Sequence, residues 1–166
     1  LLPEVNYTNE LPVYQDLSFK INMPAGKAGN FSFWGIGGLS KSKMDGTNNP
    51  DQWIYPENRE QMQFHYNMGA CGFSHSKSLS NRTYIRSTLA LSGSAHLYNE
   101  KSRLNPSLPD KLFPLYDIQM ISGKPSLTSR LTHAYNSHLS VVTGIKASSY
   151  RYQLKGNARN YETKNL

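Results

Sequence analysis

Four basic side chains, Lys20, Arg86, Arg130 and Lys146, each fall within a stretch that alternates apolar and polar residues, and each takes the polar side of that alternation. Cations placed in this way can form a track for an anionic solute or dock an acidic surface; solvation on a wet face is the simpler role. Two aromatics, Trp53 and Tyr55, sit in the polar run "NNPDQWIYPENR". Their rings can stack on a sugar, a chelate or a partner protein, or more plainly pin their own loop or lie among lipid headgroups.

Other chemistry is poorly supplied. His65, His75, His96, His133 and His138 form no i, i+4 pair and have no evident Ser or Asp partner, so turn or polar-face histidines are expected. "DGTNNPD" spaces oxygen-bearing side chains at Asp45, Thr47, Asn49 and Asp51 as a calcium loop does. Pro50 takes the place of the glycine such a loop needs, and Pro56 the place of the closing Glu, so no metal is expected. "GIGG" at Gly35 to Gly38 lies inside an alternating stretch, where glycine marks close packing or curvature and not a phosphate loop. Cys71 is alone and reads as a small apolar residue. No nucleophile–base pair emerges, so neither an enzyme nor a cofactor is expected.

The elements that would position these residues are strands. Among 166 residues, the hydrophobic fraction is 37%, Tyr is frequent at 11, and Gly, Ser and Asn punctuate nearly every segment. The formal charge of +7 comes from basic residues scattered singly, which is not the clustered footprint of a nucleic-acid binder. Period-two alternation predicts six strands, roughly Tyr14 to Pro24, Asn30 to Met44, Glu60 to Ser76, Thr83 to Asn99, Lys124 to Asn136 and His138 to Leu154. Connections alternate: short at Ala25 to Gly29, Leu79 to Arg82 and Asn136 to Ser137, long at Asp45 to Arg59 and Glu100 to Gly123. That rhythm suits an antiparallel up-and-down meander with one tight end and one elaborated end.

One side of each strand is oily. Leu17, Phe19, Ile21 and Met23 oppose Ser18, Lys20 and Asn22; Ile85, Leu89, Leu91, Ala95 and Leu97 oppose Tyr84, Arg86, Thr88, Ser92 and His96. Leu127 and Leu131 oppose Arg130, and Val141 and Ile145 oppose Lys146. In the third strand Met62, Phe64, Tyr66, Met68 and Ala70 are assigned to the oily side, against Gln63, His65, Asn67 and Cys71. These strands exceed the usual soluble length of about 5–6 residues, and their apolar sides match the 9–11 residues of a strand crossing a bilayer. Strands cross lipid only in closed barrels, and bacterial barrels begin at about eight. The fold class expected is therefore all-β, six long strands forming a sector of a transmembrane β-barrel, with outer-membrane lipid and the remaining barrel strands as partners.

The wording of the strands adds a resemblance. "LPVYQDLSFKINMPAGKAGNFSFWGIGGLSKS", "YIRSTLALSGS" and "HLSVVTGIKAS" resemble barrel strands of TonB-dependent outer-membrane receptors of the Bacteroidota type, over roughly Leu11 to Lys155. The resemblance implies import of a scarce nutrient or chelate through a barrel of about 22 strands, plugged by an N-terminal domain and energised by TonB. No plug domain, energy-coupling box or terminal aromatic strand signal is read within residues 1–166, which end "NYETKNL", so an internal barrel segment is expected. It also places the short turns in the periplasm and the Trp53 and Leu108 loops outside, with Lys20, Arg86, Arg130 and Lys146 facing the lumen. The alternatives are another outer-membrane barrel, such as a porin or fatty-acid channel, and a soluble β-sandwich or lipocalin-like binding module.

Overall fold

Alternation over stretches this long leaves the backbone one economical solution, a pleated sheet with every second side chain on each face. The computed structural model, which describes residues 8–9 and 12–159, is an all-β antiparallel meander that does not close on itself. Its strands are β1 (Thr8–Asn9), β2 (Val13–Pro24), β3 (Asn30–Asp45), β4 (Glu60–Ser80), β5 (Thr83–Ser102), β6 (Phe113–Ala134), β7 (Ser140–Ser148) and β8 (Arg151–Ala158). β1 and β2 share one side of β3, and β7 and β8 share one side of β6, so eight segments make six passes. The chain ends quoted above lie outside the described residues.

The first four predicted strands fall where expected, but the second half needs two corrections. The expected long loop from Glu100 to Gly123 is only residues 103–112, because β6 begins at Phe113 and pairs with β5 from there. Pro114, Gly123 and Pro125 disguised that strand; Pro114 sits at the irregular end of the ladder, where a missing N–H costs little. Pro125 also divides the last pass. It stands opposite Ser149, whose N–H reaches the Pro125 carbonyl at 3.2 Å, but it has no N–H to return, and regular pairing lapses between β7 and β8.

Turn chemistry explains the tight end. Gly26 and Gly29 adopt positive φ, 54° and 97°, at the first residue and the C-cap of a short 3₁₀ turn after β2. Between β6 and β7 the Asn136 side chain accepts from the backbone N–H groups of His138 and Leu139 at 2.9 and 2.8 Å.

Register decides what each face carries. Level across six passes lie Ile21, Phe33, Phe73, Leu89, Leu127 and Ala147; one residue along, on the opposite face, lie Asn22, Ser32, Ser74, Thr88, Thr128 and Lys146. The first row is wholly apolar and the second wholly polar. Phe33, Phe73, Ile21, Leu127 and Leu89 are 40–59% exposed, and among the described residues no hydrophobic side chain is buried. The Leu89 face therefore has no core beneath it.

The third predicted strand is corrected in its facing. Pairing with β3 and β5 puts Met62, Phe64, Tyr66, Met68 and Ala70 on the Arg86 face, and Gln63, His65, Asn67 and Cys71 on the Leu89 face. β4 changes character along its length. Toward the short turns it offers Cys71 and Phe73 to the Leu89 face and Ser74 and Ser76 to the other; toward the long loops that order reverses. The change comes near four glycines standing level on adjacent strands, Gly37, Gly69, Gly93 and Gly123.

Candidate functional site

All four predicted cations lie on the Arg86 face toward the short-turn end, and all four are exposed. Arg86 is directly opposite Arg130, and Lys146 is opposite Thr128 on the neighbouring strand, one pair further up. Lys20 is opposite Trp34, three strands from Arg86, and both line one recess of about 320 Å³ with Asn22, Asn30, Ser74 and Ser76. The sheet thus gathers Arg86, Arg130 and Lys146 closely and sets Lys20 across a polar floor. Within that floor Ser74 Oγ and Thr88 Oγ1 share a hydrogen bond of 2.9 Å. Among the described residues none of the four cations is in an ion pair; Lys43 and Asp45 form one at the other end of the sheet.

Toward the long loops the same face carries a set of rings, of which Phe64 and Tyr66 were expected on the oily side. Phe64 and Tyr98 lie 4.9 Å apart between centroids, Tyr66 meets His96 edge-on at 5.0 Å, and Tyr116 stands beside Glu100 in the ladder. Tyr98 donates its hydroxyl to the buried Glu100 carboxylate. Burial and that acceptor push the Tyr98 hydroxyl well above its ordinary pKa. Glu60 is also raised, by burial first and by the neighbouring Glu100 and Glu57 charges second. On the opposite face, burial works against ionisation of Asp45, yet hydrogen bonds from Lys43 and Gln61 outweigh it and hold its carboxyl below the usual value. The only cue that could have found the aromatic shelf was pairing: read alone, β4 is apolar on this side from Met62 to Ala70, and only its neighbours show which face that is.

The loop aromatics divide. Trp53 Nε1 donates to the Thr47 carbonyl at 2.9 Å, so its indole N–H pins residues 46–59 together, while the Tyr55 ring remains exposed. The Thr47 hydroxyl and Asn49 amide oxygen accept from the Asn49 and Asp51 backbone N–H groups, uses that belong to a turn. Among the described residues no group of three His, Cys, Asp or Glu is placed to hold a metal. Asn48 donates to Asp110 at 3.1 Å, tying the two long connections to each other. Neither a family model nor a curated protein matches this chain.

Proposed function

We propose that this chain is a sector of an outer-membrane β-barrel of the TonB-dependent receptor type, which imports a nutrient or chelate through its lumen. The observation that carries the reading is the pair of adjacent rows, one apolar and one polar across six passes, with the apolar row exposed and none of the described residues folded over it. Water on one side and lipid on the other is the environment that suits both rows.

Three further features support lipid at the Leu89 face. Hydroxyls near the lower margin of that face are paired, Ser87 Oγ with Ser129 Oγ at 2.9 Å, as groups next to hydrocarbon must be. Among the described residues both long edges, β2 and the β7–β8 pass, end the sheet with unpaired backbone groups that further strands would satisfy. The apolar band also slants. On β2 it spans Val13–Met23, centred level with Tyr150 of the last pass; on β7 it spans Val141–Ala147, centred at Gly144, six residues lower (150 against 144). Six residues at about 3.4 Å against five strand spacings of about 4.8 Å give a mean slope near 40°, unevenly distributed, against the 35–45° tilt of barrel strands.

On this reading the Arg86 face lines the lumen, the aromatic shelf of Phe64, Tyr66, Tyr98 and Tyr116 stands at its outer mouth, and the chain performs no covalent chemistry. The test is the native Cys71, on the Leu89 face. In membranes carrying the full protein it should resist a charged maleimide and react with a bilayer-soluble one. Reaction with the charged reagent at the rate of a free thiol would place that face in water and reject the reading, and resistance to both reagents would favour a soluble sandwich with Cys71 in a core.

A further inference from the structure

Two arginines directly opposite each other on neighbouring strands repel, and such pairs lower the stability of a sheet. Arg86 and Arg130 are so placed, with Lys146 on the next strand one pair further up. Cα atoms of opposed residues stand about 4.5–5.5 Å apart and adjacent strands about 4.8 Å, so three cationic stems rise from a patch of roughly 10 Å. Carboxylates on this face are distant in the ladder: Asp16 is on β2, and Glu60 and Glu100 lie beyond the aromatic shelf. Hydroxyls flank the cations, Thr88 and Thr128 level with Lys146 and Thr132 next below Arg130 in β6.

Two guanidinium forks, one ammonium and a set of hydroxyl donors, without a competing acid, suit an oxyanion carrying more than one negative charge. We propose that Arg86, Arg130 and Lys146 form a binding site for a small multivalent oxyanion, a phosphate-bearing or polycarboxylate solute, and that Lys20 lies on its approach and not in the site. The assignment rests on the lumenal placement of the Arg86 face proposed above. An acidic protein segment is the competing occupant. The compactness of the triad favours a small solute, since a segment docking along the face would draw more evenly on Lys20 and Lys124.

The test uses the full protein purified in detergent at about 0.15 M salt, where weak surface attraction is screened. Equilibrium dialysis measures inorganic pyrophosphate and citrate separately, with a poly-glutamate peptide as competitor. At least one anion should bind saturably, and its affinity should fall about tenfold or more in Arg86→Gln and in Arg130→Gln. Lys27→Gln in the turn after β2 should leave it unchanged. Pyrophosphate alone would identify a phosphate solute, citrate alone a polycarboxylate. Each arginine substitution removes a repulsion, so both variants should fold at least as well as the parent. Absence of saturable binding, unchanged binding in both variants, or displacement by the peptide below the concentrations at which either small anion binds would overturn the proposal. Charged-maleimide labelling of Cys71, run on the same protein in its membrane, reports the lumenal reading separately: protected Cys71 without anion binding defeats the anion site alone.

Discussion

Leu127 and Ser126 are neighbours in β6, yet the sheet points them at different surroundings: Leu127 lies level with Leu89 and Ala147, Ser126 with Ala90 and Ser148. Arginine introduced at each position therefore probes the two faces with one chemistry. In lipid, an arginine near the bilayer midplane costs about 2–4 kcal/mol on a barrel strand, so Leu127→Arg should weaken the folded protein by roughly 30- to 900-fold in its equilibrium constant. Ser126→Arg, on the face proposed to line a wet lumen, should stay within about 0.5 kcal/mol. Urea unfolding of the full protein in lipid vesicles, followed by tryptophan fluorescence and by gel mobility of unheated samples, gives both values. Leu127 is 50% exposed in the sheet, so if water covered it Leu127→Arg would cost as little as Ser126→Arg. Equal effects of the two substitutions would refute the assignment of faces, and a larger effect at Ser126 would reverse it.

Gly29→Ala should destabilise by about 1–3 kcal/mol, because φ is 97° and a Cβ would stand 2.4 Å from the Ser76 carbonyl oxygen. Gly26→Ala, with φ of 54° and open space, should cost less, about 1 kcal/mol, and urea midpoints of the pair check the order. Glu60 has a folded pKa above its ordinary 4.5, so the folded state holds its proton more tightly and loses stability as pH rises from 4.5 through the folded value. Glu60→Gln should accordingly raise stability at pH 7 and leave it unchanged well below pH 4.5, measured as melting temperature against pH. Asp45 has the opposite sign: its stabilising contribution is present above 3.8 and disappears as pH falls through its lowered folded value, a trend that Asp45→Asn should abolish. Trp53→Phe removes the indole donor to the Thr47 carbonyl and should speed proteolysis within residues 46–59 while sparing the strands.

Much of this sheet was legible in the sequence because alternation is a local signal. β2 and β5 state their facing residue by residue, and the four cations fall on one face as the alternation implies. What was illegible depended on neighbours. Phe113 to Pro125 carries two prolines and a glycine, which locally argue against a strand; pairing with the long β5 overrides them, and Pro114 is tolerated at an irregular end of the ladder. The Arg86–Arg130 opposition was equally hidden, since it depends on the register between strands that are 44 residues apart (130 against 86).

The reversal along β4 was hidden for a deeper reason. Choosing the more apolar side of a strand assumes that one environment runs its whole length, and in this sheet it does not. Beyond the glycine row the Leu89 face turns polar at Lys43, Gln63, Asn99 and Asp117, while the Arg86 face turns apolar at Phe64, Tyr98 and Ile118. A uniform soluble core would leave one face apolar throughout. On the proposed reading, a strand that leaves a bilayer and continues into water loses its reason for an oily exterior at the point of exit. The rings on its inner side are then free to serve whatever occupies the mouth, and the interlinked 46–59 and 103–112 loops stand directly above them. The rows also set where that exit should be felt: arginine at Gln63 should cost far less than arginine at Phe73, though both lie on one face of one strand.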